Sequence, residues 1–205
     1  MNKTYFVTGI GTENGKTVTA AILVEKLKAD YWKPIQSGDL EQSDTLKVES
    51  LISNSNTKFH PETYRLTQPF SPHYSAQLDG VKIDLAEFNI PQTTNNLIIE
   101  GAGGLMVPLN NEDLIIDLIK KLGVEVILVS KNYLGSINHT LLSVEALNNR
   151  KIPIKGIIFN GEPNPATESI ILKKTGLAVV AHIPLLTNLN KESIFAVANE
   201  INFTF

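Results

Sequence analysis

Short runs of β-branched and aliphatic residues alternate along this chain with segments of helical period, and that alternation restricts the fold more than any other feature. The strand candidates are Thr4–Thr8, Tyr31–Ile35, Asn96–Glu100, Val124–Ser130, Lys155–Asn160 and Ala178–Ile183. Several, such as VEVILVS and GIIF, are nearly continuous in Val, Ile and Leu, as expected of parallel strands covered on both faces. Between them, Leu114, Ile115, Leu118 and Leu122 share one helical face, as do Ile137, Leu141, Val144 and Leu147. Ile194, Val197, Ala198 and Ile201 repeat that spacing. The expectation is an α/β fold: three layers, with a mostly parallel central sheet flanked by helices. Crossovers should be right-handed, and ligands should sit at the carboxyl ends of the strands.

Residues 54–95 break the pattern. They carry Asn, Thr, Ser and Pro clusters with weak periodicity only near Asp84–Phe88. A connection of that length inside a compact domain is functional or disordered. The piece TQPFSPHYSA reads as an ordered, proline-shaped loop. No repeat and no domain boundary is visible, so residues 1–205 are read as one domain, a size that buries a core without staples.

The stretch FVTGIGTENGKTVTA, residues 6–20, joins a strand, a glycine-rich turn, Lys-Thr and an apolar helix. Glycines let backbone N–H groups approach an anion, and a helix N-terminus adds about half a positive charge. Lys16 can reach the β- and γ-phosphates of a nucleotide, and Thr17 can offer a hydroxyl to Mg²⁺. The loop is a variant, because Gly9 and Gly15 enclose five residues where the general pattern has four before Gly-Lys. The fold expectation sharpens accordingly to a P-loop NTPase-like one.

NLIIEGAGG, residues 96–104, is a buried strand running into a carboxylate and then glycines. It places Glu100 where P-loop proteins hold their metal. In YWKPIQSG, residues 31–38, Lys33 precedes a proline and reads locally as a stiff extended position. Taken alone, Lys33 is a surface cation. Asp44, in QSDTLK, sits at a helix start and taken alone is a cap.

Composition removes other classes. The chain has no cysteine, so disulfides, cysteine-bound zinc, iron–sulfur clusters and thiol nucleophiles are excluded. Lys and Arg number 18 against 21 Asp and Glu, leaving no basic excess for a nucleic-acid backbone. The N-terminus enters a strand pattern at once, and no run approaches the roughly 20 apolar residues that span a bilayer. The expectation is a soluble cytoplasmic protein that binds neither membrane nor nucleic acid.

With these segments in place, the chain resembles the dethiobiotin synthetases. The matching pieces are YFVTGIGTENGKT, KPIQSG with SD following, SPHYSA, IIEGAGGLMVPL, LGSINHTLL, FN at 159–160 and HIPLL, in the family's order over nearly the whole chain. The variant loop length is the family's own. The resemblance implies a reaction in which ATP, CO2 and 7,8-diaminopelargonate give dethiobiotin, ADP and phosphate, through a carbamate and a carbamic–phosphoric anhydride. It implies catalytic roles for Thr12, Lys16, Lys33 and Ser37. It implies that Thr17, Asp44 and Glu100 hold Mg²⁺. Nucleotide contacts are implied for Glu13, Asn14, Gly15, Lys16, Thr17, Val18, Asn160, Pro184 and Leu186. Substrate contacts are implied for Thr12, Lys33 and Ser37, and for Ser136 and Asn138 contributed by the neighbouring subunit of a homodimer. A helix N-terminus with hydroxyl and amide donors suits the substrate's carboxylate tail. Ser136 reads equally as that helix's cap, and His139 reads as structural. Asn160 is followed by Gly161, where the family often has aspartate.

Two other readings remain open on the sequence. A partitioning-type P-loop ATPase shares the strand–loop–helix order but usually carries an earlier lysine in the loop, where this chain has Gly9, Ile10 and Gly11. A related amide-forming ligase would differ only in its acid substrate.

Overall fold

The computed structural model describes residues 2–204. Seven strands form the main sheet: β1 (Thr4–Gly9), β2 (Asp30–Trp32), β4 (Phe59–His60), β6 (Leu97–Gly104), β7 (Glu125–Lys131), β8 (Ile154–Asn160) and β9 (Val179–Ile183). Their spatial order is β4-β2-β6-β1-β7-β8-β9, and every pairing between them is parallel. A second, two-stranded parallel sheet pairs β3 (Ile35–Ser37) with β5 (Tyr64–Leu66). The three-layer parallel α/β expectation is borne out.

Side chains alternate across the sheet, and the two faces are covered by different helices. Tyr5 and Val7 of β1 point into a core closed by α1 (Lys16–Leu27), α2 (Asp44–Leu51) and α7 (Lys191–Glu200). Phe6 points the other way, into a core with α3 (Pro72–Leu78) and α4 (Ile115–Leu122). Beyond these, α6 (Pro165–Thr175) packs Ile171 against Ile157 and Phe159 of β8, and Ile137 of α5 (Ser136–Asn149) joins that cluster. Ala20 to Val24 of α1 are all fully buried, because this helix lies between the sheet and α7. A helix apolar all round is what such a position demands.

Two expectations are corrected. Tyr31–Ile35 is not one strand. Pro34 has no N–H to donate, so pairing with β6 ends at Trp32 and the chain turns away to pair with β5. Residues 54–95 are not one loop either. They contain β4, β5, α3 and a 3₁₀ turn at Leu85–Glu87, and Pro72 stands in the first turn of α3, so the piece TQPFSPHYSA is helical in its second half. No described helix is long and apolar enough to cross a membrane.

A buried carboxylate fastens α1 to the segment after α2. Glu25 accepts from Lys28 Nζ at 2.6 Å and from the backbone amides of Ser53 and Asn54 at 2.6 and 3.0 Å. Burial works to raise this carboxyl, but the bonds from Lys28, Ser53 and Asn54 outweigh it and hold it below the ordinary value of 4.5. A depressed folded-state pKa contributes stability that is present above the unfolded value and lost as pH falls through the folded one. Glu25→Gln is therefore expected to cost about 1–3 kcal/mol at neutral pH. The difference from the parent should shrink on acidification below 4.5. Urea unfolding of both proteins at neutral and acid pH checks this, and an equal gap at both pH values contradicts it.

Candidate active site

The carboxyl ends of β1, β2 and β6 open onto a cleft of about 1020 Å³. The loop after β1 forms one wall. Gly15 ends it with φ 83° and leaves α1 without a side-chain cap, so the first amides of a 12-residue helix point at the cleft unsatisfied by any cap. Glu13 is also left-handed, at φ 58°, unusual for a residue with a side chain. A Cβ on Gly15 would lie 2.1 Å from Asn160 Nδ2. Gly15→Ala combines that clash with about 1–2 kcal/mol of left-handed strain. It should weaken ADP binding about tenfold or more by calorimetry, and an unchanged affinity contradicts the loop's role.

Lys16 folds back over this loop, its Nζ donating to the Gly11 carbonyl at 3.0 Å. It is only 8% exposed. Burial pulls its ammonium down to about 8, with Glu100 opposing and Lys33 reinforcing the shift.

Opposite the loop, Lys33 Nζ lies 2.6 Å from Asp44 Oδ2 and 3.0 Å from Glu100 Oε1, with the Gly101 carbonyl at 3.3 Å. Thr17 Oγ1 donates to the same Glu100 oxygen at 2.9 Å. Four residues from four parts of the chain thus converge on one point. Lys33 is 4% exposed. Burial disfavours its charge, yet Glu100 and Asp44 outweigh that and raise its pKa. Asp44 is correspondingly held down, burial being overcome by Lys33.

The local readings of these two residues are corrected. Lys33 is no surface cation, being buried with its ammonium against Asp44 and Glu100. Asp44 is not the cap of α2. Ser43 takes that place, its side chain accepting from Leu46 N at 3.3 Å, which frees Asp44 in the first turn to face Lys33. Gln36, unremarkable in the sequence, holds that turn by accepting from Asp44 N at 3.1 Å. Tyr31, likewise unremarkable, donates its hydroxyl to Glu100 Oε2 at 2.9 Å. Neither has a local sequence signal, since Gln36 reaches a residue eight positions on and Tyr31 one 69 positions on.

Thr12, Glu13, Gly15 and Val18 line the same cleft, as does Ser37. The Ser37 hydroxyl is buried with no protein partner. Asn14 is buried beneath the loop, and its carbonyl accepts from Asn160 Nδ2 at 3.0 Å. Asn160 ends β8 beside Ile183, the last residue of β9, and Pro184 and Leu186 follow β9, with Leu186 packed on the α1 core. Ser136 and Asn138 do not line the cleft of their own chain. Ser136 does not cap α5 either. Gly135 occupies the cap, and Ser136 is buried in the first turn with its hydroxyl unpartnered. The His139 side chain meets Tyr133, its Nδ1 2.7 Å from the phenol oxygen.

The donor set suits a hard divalent cation. Two carboxylates and a hydroxyl are oxygen ligands, and Mg²⁺ commonly takes one or two carboxylates, with waters and substrate phosphates completing its shell. The buried ammonium between Asp44 and Glu100 shows that this point draws positive charge.

Comparison with known proteins follows the same line. A family model described as an AAA domain matches residues 3–193. The ATP-dependent dethiobiotin synthetase BioD of Christiangramia forsetii is 56% identical over 183 residues, 89% of this chain and 88% of that protein. The protein of that name from Cytophaga hutchinsonii is 50% identical over 197 residues, covering 96% and 95%. Among solved structures, the Pyrococcus furiosus cell division ATPase MinD superposes with a TM-score of 0.62 over 98% of both chains, at 13% identity. That likeness is one of fold.

Proposed function

The chain belongs to the ATP-dependent dethiobiotin synthetase family and is an ATP-dependent ligase of biotin biosynthesis, and from that premise we propose how its residues carry the reaction. Residues 1–205 act as one ligase domain on ATP, CO2 and 7,8-diaminopelargonate. One substrate amine takes up CO2 and loses a proton to give a carbamate. A carbamate oxygen attacks the γ-phosphorus of ATP and ADP leaves. The neighbouring amine then attacks the carbonyl carbon of the mixed anhydride, phosphate departs, and a cyclic urea closes.

The difficulty in this sequence is electrostatic, since carbamate and triphosphate are both anions. Lys16 and the capless start of α1 receive the phosphates. Lys33 sits where carbamate and γ-phosphate must meet, and Thr12 and the unpartnered Ser37 hydroxyl can bond the same groups. The carbamate is itself a nucleophile, so the first transfer needs no general base. Thr17, Asp44 and Glu100 would hold Mg²⁺, which when bound neutralises charge on the transferring phosphoryl oxygens. Glu13, Asn14, Gly15 and Val18 shape the phosphate loop, while Asn160, Pro184 and Leu186 receive the base. Ser136 and Asn138 serve the carboxylate tail in a partner subunit's cleft, which makes the working form a homodimer. The setting is the cytoplasm.

The observation that carries this reading is the buried Lys33 ammonium against Asp44 and Glu100, with the Thr17 hydroxyl on the same carboxylate. Purified protein given ATP, Mg²⁺, bicarbonate and the diamine should yield dethiobiotin by mass spectrometry. Absence of product from folded, nucleotide-bound protein overturns the proposal.

A further inference from the structure

Glu100 is held from two sides. Its Oε1 accepts from Thr17 and Lys33, both of which belong to the site described above. Its Oε2 accepts from the hydroxyl of Tyr31 at 2.9 Å. We propose that Tyr31 is a positioning residue: its hydroxyl pins one oxygen of Glu100 so that the other is presented to the magnesium nucleotide.

Tyr31 is 0% exposed and Glu100 1%. The ring is clamped by its place in the fold. Strand β2 lies between β4 and β6, with Tyr31 opposite Phe59 on one side and Ile98 on the other. Its ring packs on Phe59 with centroids 5.9 Å apart. A phenylalanine would bury the same apolar surface without taking a hydroxyl out of water, a transfer that is unfavourable unless the group is bonded. In this position the hydroxyl's partner is the carboxylate. A glutamate has several rotatable bonds, and a rigid donor on one oxygen selects among its rotamers before any ligand arrives. Partners of this kind behind a metal ligand commonly alter metal affinity about 10–100-fold when removed.

The proposal rests on the reading of Glu100 as a magnesium ligand, and the experiment separates the two. ADP binding is measured by calorimetry with EDTA and with excess Mg²⁺, and the ratio of the two affinities is the magnesium gain. Tyr31→Phe should reduce that gain roughly tenfold, leave binding in EDTA unchanged, and keep the parent's near-UV circular dichroism. Glu100→Gln should abolish the gain, and adding Tyr31→Phe to it should do nothing more, because the tyrosine acts through that carboxylate. A parent without a magnesium gain, or a Glu100→Gln variant that keeps it, removes the reading of Glu100 and this proposal with it. A parent and Glu100→Gln that behave as expected, beside Tyr31→Phe with the full gain, overturns the role of Tyr31 alone. Should Tyr31→Phe fail to fold, a high-resolution crystal structure of the unaltered protein with MgADP decides. Oε2 on the Tyr31 hydroxyl with Oε1 toward the ion supports the proposal, and Glu100 turned away from Tyr31 overturns it.

Discussion

Lys16→Ala is expected to lower turnover roughly 10²-fold or more, the cost typical of removing a donor aimed at charge that moves during reaction. The lysine is buried, its Nζ rests on the Gly11 carbonyl, and burial has already pulled its pKa to about 8. Such an ammonium is poorly solvated before the nucleotide arrives and gains most when phosphate oxygens approach it. Because the benefit grows as charge shifts toward the β- and γ-phosphates, kcat and kcat/KM should fall together. Folding stability should not fall, since the variant removes a poorly solvated buried charge whose hydrogen bond is to the loop it covers. Steady-state rates with saturating ATP and diamine test this, and turnover within about twofold of the parent would contradict a role that rests on preorganised charge.

Lys33→Met should be costly in a second way. It leaves Asp44 and Glu100 without the ammonium they share, Asp44 keeping the more distant Lys47 at 3.8 Å and the Thr17 hydroxyl. Removing one partner of a buried ion pair costs about 3–5 kcal/mol. For a chain of 205 residues that corresponds to a melting temperature lower by roughly 6–20 °C. Turnover should also fall roughly 10²-fold or more, because the same cation faces the reacting anions. Pairing it with Glu100→Gln separates the effects. The double variant should recover part of the stability, since it neutralises the more deeply buried of the two stranded carboxylates while the partly exposed Asp44 keeps Lys47. It should recover none of the turnover. Thermal unfolding in EDTA and product formation are the two measurements, and a single variant as stable as the parent contradicts the buried pair.

The contrast between these two lysines shows what could be read ahead of the structure. Lys16 lies in a stretch whose chemistry is local: a strand, glycines, Lys-Thr and a helix within 15 residues. Backbone conformation and the helix terminus bring its groups together without help from the rest of the chain. Lys33 has no such local support. Its neighbours Asp44 and Glu100 are 11 and 67 residues away, and by itself it reads as a surface cation. Only the resemblance to dethiobiotin synthetases put it in the site. Asp44 failed as a local reading for a related reason, because Ser43 and Asp44 are both capping types and which one caps depends on where the preceding 3₁₀ turn at Leu40–Gln42 delivers the chain. Residues 54–95 misled because strands of two and three residues, Phe59–His60 and Tyr64–Leu66, are too short to display a period and exist through their partners.

By itself, then, the amino-acid order decided the layers and the phosphate loop: continuous aliphatic runs must be covered on both faces, and a glycine-rich turn entering a helix must leave amides free. The tertiary structure alone decided which side chains meet. Tyr31 reads as one more apolar strand residue, and it touches Glu100 because β2 lies beside β6 in the sheet. That adjacency comes from hydrogen bonds between strands 69 residues apart at this contact, where local periodicity carries no information.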